Sequence, residues 1–219
     1  MFIGHFAIGY AAKKTVPDVS LGTLFIAAQF LDLLWPVLLL LGIERAEIVP
    51  GITVLTPFDF THYPYTHSLA MALLWSVVVG GCYYIFKKER FTAFILGLCV
   101  VSHWVLDLLV HRPDLPLYPG DSPVFGMGLW NQPLAAIALE ALIFIFGVAR
   151  YLSCTTPKNK TGTIVTWVLI LFLVFVYLAN FFGPPPPNMQ AVAWAGNLQW
   201  LFVVLAFWSD KNRQPRLSN

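Results

Sequence analysis

FTAFILGLCVVSHWVLDLLVHRP, running from Phe91 to Pro113, is apolar throughout, yet it holds His103 and Asp107 within its length and His111 at its end. A hydrocarbon core about 30 Å thick needs about 20 residues at a rise of 1.5 Å, and Phe91 to Val110 supplies them. Ionisable groups at that depth cost a few kcal/mol unless they are paired or face water. The stretch therefore predicts a transmembrane helix that faces a polar cavity inside the protein. At about 100° per residue, positions i, i+4 and i+8 drift only some 80° around the axis, so His103, Asp107 and His111 project from one stripe. Histidine and aspartate are metal-ligand types, whereas serine or asparagine would be enough to glue helices together. His111 is about 12 Å from His103 along the axis, so without unwinding near Pro113 it serves another ion or the substrate.

Outward from this helix, further apolar runs of spanning length cover Val19 to Leu41, Leu69 to Phe86, Pro133 to Leu152, Ile164 to Phe182 and Met189 to Trp208. The whole chain of 219 residues is 58% hydrophobic and 11% charged, with mean hydropathy +0.72, against roughly 25% charged residues in a soluble domain. The fold class expected is all-α: a polytopic transmembrane bundle of about six spans with a short N-terminal half-helix packed into it. One domain is expected over 1–219, in which residues 1–140 bear the ligands, residues 141–208 form supporting helices and residues 209–219 form a cytoplasmic tail. A net charge of +2 and the absence of any basic face argue against nucleic acid as a partner. Cys82, Cys99 and Cys154 lie in or beside apolar runs without CxxC spacing, and read as core or lipid-facing residues. Met1 to Tyr10 lacks a basic residue ahead of its apolar stretch, so no signal peptide is expected and insertion begins with the first span. Cations flank alternate ends of the spans: Lys13 and Lys14, then Lys87, Lys88 and Arg90, then Arg150, Lys158 and Lys160, then Lys211, Arg213 and Arg216. The loops between carry only Arg45, only Arg112 and none, which places both termini in the cytoplasm. The two longest loops, Gly42 to Thr66 and His111 to Gln132, then form an outward rim.

His5, Asp32, His67 and Glu140 also sit in apolar segments. Any one of them alone reads as a hydrogen-bonded core residue or a buried neutral carboxylate. Clustering argues otherwise. Counted from the cation-rich ends, Asp32 lies about 18 Å above Ser20, His103 about 18 Å above Phe91 and Glu140 about 15 Å above Arg150, all near mid-bilayer. If Met1 to Lys14 is a helix that reverses at Thr15 to Asp18, His5 reaches roughly 12 Å above Lys13 and approaches Asp32. Pro36 cannot donate to the Asp32 carbonyl, so the helix is expected to loosen beside that carboxylate. Thr66 is expected to cap the second span, with His67 in its first turn. Arg112 at the rim is placed to pair with a phosphate. Asn180, Asn197 and Gln199 read as packing hydrogen bonds.

The order His5, Asp32, Thr66-His67-Ser68, Ser102-His103-x-x-x-Asp107, with the opening Gly4-His5-Phe6-Ala7-Ile8-Gly9, resembles a bacterial family of membrane-bound metal-dependent hydrolases described as LexA-binding and inner-membrane-associated. Coverage is most of Met1 to Glu140, with Gln29-Phe30-Leu31-Asp32 standing where that family has Pro-Asp-x-Asp. More distantly, the ligand order is similar to that of zinc-dependent phospholipase C. The resemblance implies that Asp32, His67 and His103 hold one zinc, that Asp107 bridges, and that His5 helps to hold a second. His111 and Glu140 remain for a third; Ala136 stands where the phospholipase pattern has a histidine. It also implies a bacterial inner membrane and hydrolysis of a phosphoester or lipid-linked substrate by metal-activated water. Acyl ester or amide hydrolysis would use the same chemistry. Two other classes stay open on the residues: a divalent metal or proton transporter, and a regulatory membrane protein with a degenerate site. Oligomeric state is not legible.

Overall fold

The computed structural model describes residues 1–216; the end of the tail expected over 209–219 lies outside the described residues. The chain opens with α1 (Ile3–Ala12), which ends in a turn through Thr15 that sends the backbone into α2 (Leu21–Ala28), capped by the Ser20 hydroxyl accepting from the Thr23 N–H. α3 (Phe30–Leu40) continues from α2 at an angle of 59°. The strands β1 (Arg45–Ile48) and β2 (Phe58–His62) pair antiparallel before the single turn α4 (Pro64–His67). α5 (Leu69–Lys87) stops at Lys88, which takes a left-handed conformation with φ 59°, and α6 (Arg90–Val110) returns beside it. A second hairpin, β3 (Leu115–Pro116) with β4 (Val124–Phe125), precedes α7 (Pro133–Cys154), whose Pro133 sits in the first turn where its missing N–H costs nothing. β5 (Thr155–Pro157), α8 (Lys160–Phe182), α9 (Met189–Asn197), α10 (Trp200–Lys211) and β6 (Arg213–Pro215) complete the described chain, with β5 and β6 paired.

The architecture is an all-α polytopic bundle: among the described residues five helical stretches are long and apolar enough to cross a membrane, or six with the bent α2–α3 pair counted as one span. The short helix α1 lies inside the bundle, packed between α7, α2 and α6. That burial explains why its sequence is apolar all round, with Ile3, His5, Phe6, Ala7, Gly9 and Tyr10 all buried. α5 lies along α6, α10 covers α2 and α8, and α9 covers α3. Away from the hairpins, a Lys13–Asp210 ion pair of 2.7 Å joins α1 to α10, and Tyr151 of α7 donates to the same carboxylate.

Two local expectations need correction. The loosening expected around Pro36 falls instead at Gln29, whose φ −101° and ψ 8° divide α2 from α3. Pro36 stays within α3, because the carbonyl it leaves free, that of Asp32, accepts from Gln199 Nε2 at 3.4 Å. The cap of α5 is Ser68 rather than Thr66: Ser68 is extended and its hydroxyl accepts from the Met71 N–H, while Thr66 belongs to the separate turn α4. The two long loops hold the β1–β2 and β3–β4 hairpins.

Candidate metal centre

α6 presents His103 and Asp107 from one face, as their i, i+4 spacing requires, and both are buried. Around Asp107 the chain gathers groups from four other segments. Its Oδ1 lies 3.1 Å from His5 Nε2 on α1, 2.5 Å from the Met1 nitrogen and 4.0 Å from His111 Nε2. Its Oδ2 lies 3.3 Å from His103 Nε2 and 3.8 Å from His67 Nε2 on α4. Asp32 of α3 completes the cluster, its Oδ1 3.4 Å from His67 Nε2 and 3.5 Å from His103 Nε2. The His5 and His103 rings stack 3.6 Å apart and nearly parallel. His5 thus meets Asp107 and His103 directly, although the depth estimate pointed it toward Asp32. Asp32 is the most open of the set, its side chain 22% exposed.

The outward-facing nitrogens decide the protonation pattern. His103 Nδ1 lies 3.0 Å from the Ala28 carbonyl, which only accepts, so Nδ1 carries the proton. That carbonyl is exposed to the imidazole where α2 breaks, which is what the Gln29 bend contributes to the site. His67 Nδ1 lies 2.7 Å from Thr66 Oγ1, whose own proton goes to Glu44 Oε2 at 2.7 Å. His111, just past the end of α6 in extended backbone, has Nδ1 3.0 Å from Asp114 Oδ1. Burial pushes its imidazole below the ordinary value, so it is the neutral form whose Nδ1–H donates to Asp114. Tyr63 donates to the same Asp114 oxygen at 3.1 Å, and burial, then Asp114, hold its phenol well above its usual range. Three imidazoles therefore direct Nε2 inward, and among the described residues His103 Nε2 has no hydrogen-bond partner although it is buried.

The distances test whether a cation fits. N–H···O bonds run at 2.7–3.2 Å, whereas the four contacts between His67 or His103 Nε2 and the Asp32 and Asp107 oxygens measure 3.3 to 3.8 Å. Ligands bound at about 2.0–2.1 Å around a tetrahedral ion stand about 3.3–3.4 Å apart. These four contacts thus have the spacing of ligands about a shared ion and exceed that of hydrogen bonds, whereas the 3.1 Å between His5 Nε2 and Asp107 Oδ1 is a hydrogen-bond distance. Two three-ligand groups have their donor atoms within 4.8 Å of one another: Asp32, His67, His103, and His5, His103, Asp107. His103 has one inward lone pair, so it can complete only one of them.

The remaining candidates lie at the edges. Glu140 of α7 accepts through Oε2 from the Phe2 and Gly4 N–H groups at 2.9 and 3.4 Å, and so holds the first turn of α1. Arg112 donates through Nε to Asp114 Oδ2 at 3.1 Å and pairs with Asp59 of β2 through Nη2, with its side chain 32% exposed. Glu44, Tyr63, Asp59 and Asp114 are not among the residues that the sequence singles out. Asp114 follows His111-Arg112-Pro113 directly, which was the available signal; Glu44 had none, being one acid in a cation-poor loop.

A broken first span, an apolar half-helix inside the bundle and a buried imidazole–carboxylate cluster beneath two hairpins define a polytopic α-helical membrane protein with a membrane-embedded candidate metal centre. A family model described as YdjM inner membrane protein matches residues 1–183, which include every residue of that cluster, and the chain belongs to this family of integral inner membrane proteins. Neither a curated protein nor a solved structure matches it.

Proposed function

We propose that the protein is a zinc-type metal-dependent hydrolase acting on a phosphoester or lipid-linked substrate from the outer half of the bilayer. The observation that carries this reading is the tautomer pattern. With Nδ1–H committed to Ala28 O and Thr66 Oγ1, the Nε2 lone pairs of His103 and His67 face the carboxylate oxygens of Asp32 and Asp107. Lone pairs set against carboxylates repel unless a cation or a shared proton lies between them; contacts of 3.3 to 3.8 Å exceed the reach of an N–H···O bond, and outer hydrogen bonds of this kind are how proteins orient histidine ligands. Asp32, His67 and His103 would hold one ion, and Asp107 with His5 would help to hold a second. His111 would be left for a third, and Glu140 would act on the site by holding the first turn of α1.

When bound, divalent ions lower the pKa of a water and neutralise charge on phosphoryl oxygens. Asp32, as the open member of the cluster, would admit and orient that water together with Asp107. Arg112 would exchange Asp59 for a substrate phosphate, since its fork of donors fits either group. A site buried among spanning helices suits a substrate that arrives from the lipid phase.

The test is metal analysis of detergent-purified wild type beside His103→Ala and Asp107→Ala, followed by turnover on phosphoester and phospholipid panels. Wild type is expected to retain zinc and both variants to lose it, with turnover tracking the metal. Equal metal content in all three would end the proposal. Ion uptake into proteoliposomes without turnover would replace the hydrolase with a transporter.

A further inference from the structure

Glu44 is 0% exposed and belongs to none of the metal-binding groups, yet its whole carboxylate is engaged. Oε1 accepts from the backbone N–H groups of Tyr65 and Thr66 at 2.8 and 2.9 Å, and Oε2 accepts from the Thr66 hydroxyl at 2.7 Å. That hydroxyl has one proton. Because a carboxylate can only accept, the proton goes to Glu44, and Thr66 Oγ1 is left as the acceptor facing His67 Nδ1 at 2.7 Å. We propose that Glu44 is a positioning residue that sets the His67 tautomer through Thr66, keeping the proton on Nδ1 and the Nε2 lone pair turned toward Asp32 and Asp107. The inference rests on the metal reading for its consequence, but the tautomer itself does not depend on it.

The isosteric change Glu44→Gln makes the idea sharp. Oε1 serves two N–H donors, so the glutamine must place its carbonyl there and its NH2 against Thr66 Oγ1. The NH2 then donates to Thr66, the Thr66 hydroxyl turns over to donate to His67 Nδ1, and the imidazole proton moves to Nε2. α4 keeps its backbone hydrogen bonds while the metal-facing lone pair disappears. Thr66→Val cuts the relay, leaving His67 free to take whichever tautomer a metal selects.

The experiment uses full-length protein labelled with 15N in the imidazole rings, metal-stripped, in detergent at mildly alkaline pH, with the His67 signals identified by their loss in His67→Ala. The expected result is an Nδ1–H tautomer in wild type and an Nε2–H tautomer in Glu44→Gln. Zinc titration should then show affinity falling about 10- to 100-fold in Glu44→Gln, the range seen when hydrogen-bond partners behind metal-binding histidines are lost. Glu44→Gln/Thr66→Val should bind zinc more tightly than Glu44→Gln alone. A Glu44 that merely braces the loop predicts the opposite ranking, because the double variant removes more contacts. An unchanged tautomer in Glu44→Gln, an imidazole protonated at both nitrogens in wild type, or, where wild type binds zinc, a double variant no better than the single would each overturn the proposal. Wild type that binds no zinc but shows the tautomer switch would sink the metal reading and leave the relay standing.

Discussion

Glu140 joins the site through backbone, since its Oε2 receives the Phe2 and Gly4 N–H groups that no earlier turn of α1 can satisfy. Glu140→Gln keeps an acceptor oxygen and should leave both stability and zinc content near wild type. Glu140→Leu strands one part-buried and one buried donor, at a cost of up to about 1–3 kcal/mol each, and should lower the thermal midpoint and, on the proposed metal reading, release the zinc that His5 would help to hold. Zinc loss in Glu140→Gln with an unchanged midpoint would instead make this carboxylate a direct ligand. The residues that were legible in the chain share a property: Asp32, His67, His103 and Asp107 stand out because ionised groups are expensive in apolar runs. Glu44 and Asp114 are as deeply engaged, but they lie in polar loops where an acid is ordinary, and only the folded chain brings them to the Nδ1 side of a histidine.

Among elements, α1 is the one whose placement decides whether a site exists, because His5 reaches Asp107 only if this short helix seats against α7. Gly147 permits that approach: a Cβ built there would sit 2.8 Å from Ala7 Cα and 2.9 Å from Ala7 C, with the Ala7 carbonyl oxygen closer still. Backbone cannot swing aside as a side chain can, so Gly147→Ala should force α1 outward at about 1–3 kcal/mol, the usual range for overpacking. Zinc content should fall along with the midpoint. Gly81→Ala on α5 is the matched control, since among the described residues nothing lies within 4 Å of its added methyl, and it should leave zinc content unchanged and hold or slightly raise the midpoint. Equal behaviour of the two variants would dissociate α1 packing from the site. The long helices were readable because about twenty apolar residues in a row have few alternatives in a bilayer. The break at Gln29 was not, because Pro36 offered a more obvious cause further along the same run and its freed carbonyl found Gln199 from a distant helix. The hairpins were hidden for a similar reason, as pairings such as Leu115 with Phe125 depend on where loops meet.

Over the whole molecule, charge separates along the helix axes. Lys13 pairs with Asp210, Arg213 donates to Thr155 and Lys158 donates to the Lys211 carbonyl, so the ends of α1, α7 and α10 and the start of α8 lie together at a cation-rich face. The other face carries Arg45 and Arg112, and Arg112 is neutralised by Asp59 and Asp114. From the retention of lysine and arginine on the cytoplasmic side during insertion we propose that the bundle is oriented with its hairpins and cluster outward. In a background with Cys82, Cys99 and Cys154 replaced, Asp121→Cys in the exposed β3–β4 turn should react with an impermeant thiol reagent on cells whose outer membrane has been permeabilised. Lys160→Cys, exposed at the start of α8, should react only after lysis of the inner membrane. The pair is needed because both positions lie in water whichever way the protein sits, so only the order of labelling reports orientation. The reverse order would turn the molecule over and place Asp32, the open edge of the cluster, toward substrates supplied from the cytoplasm.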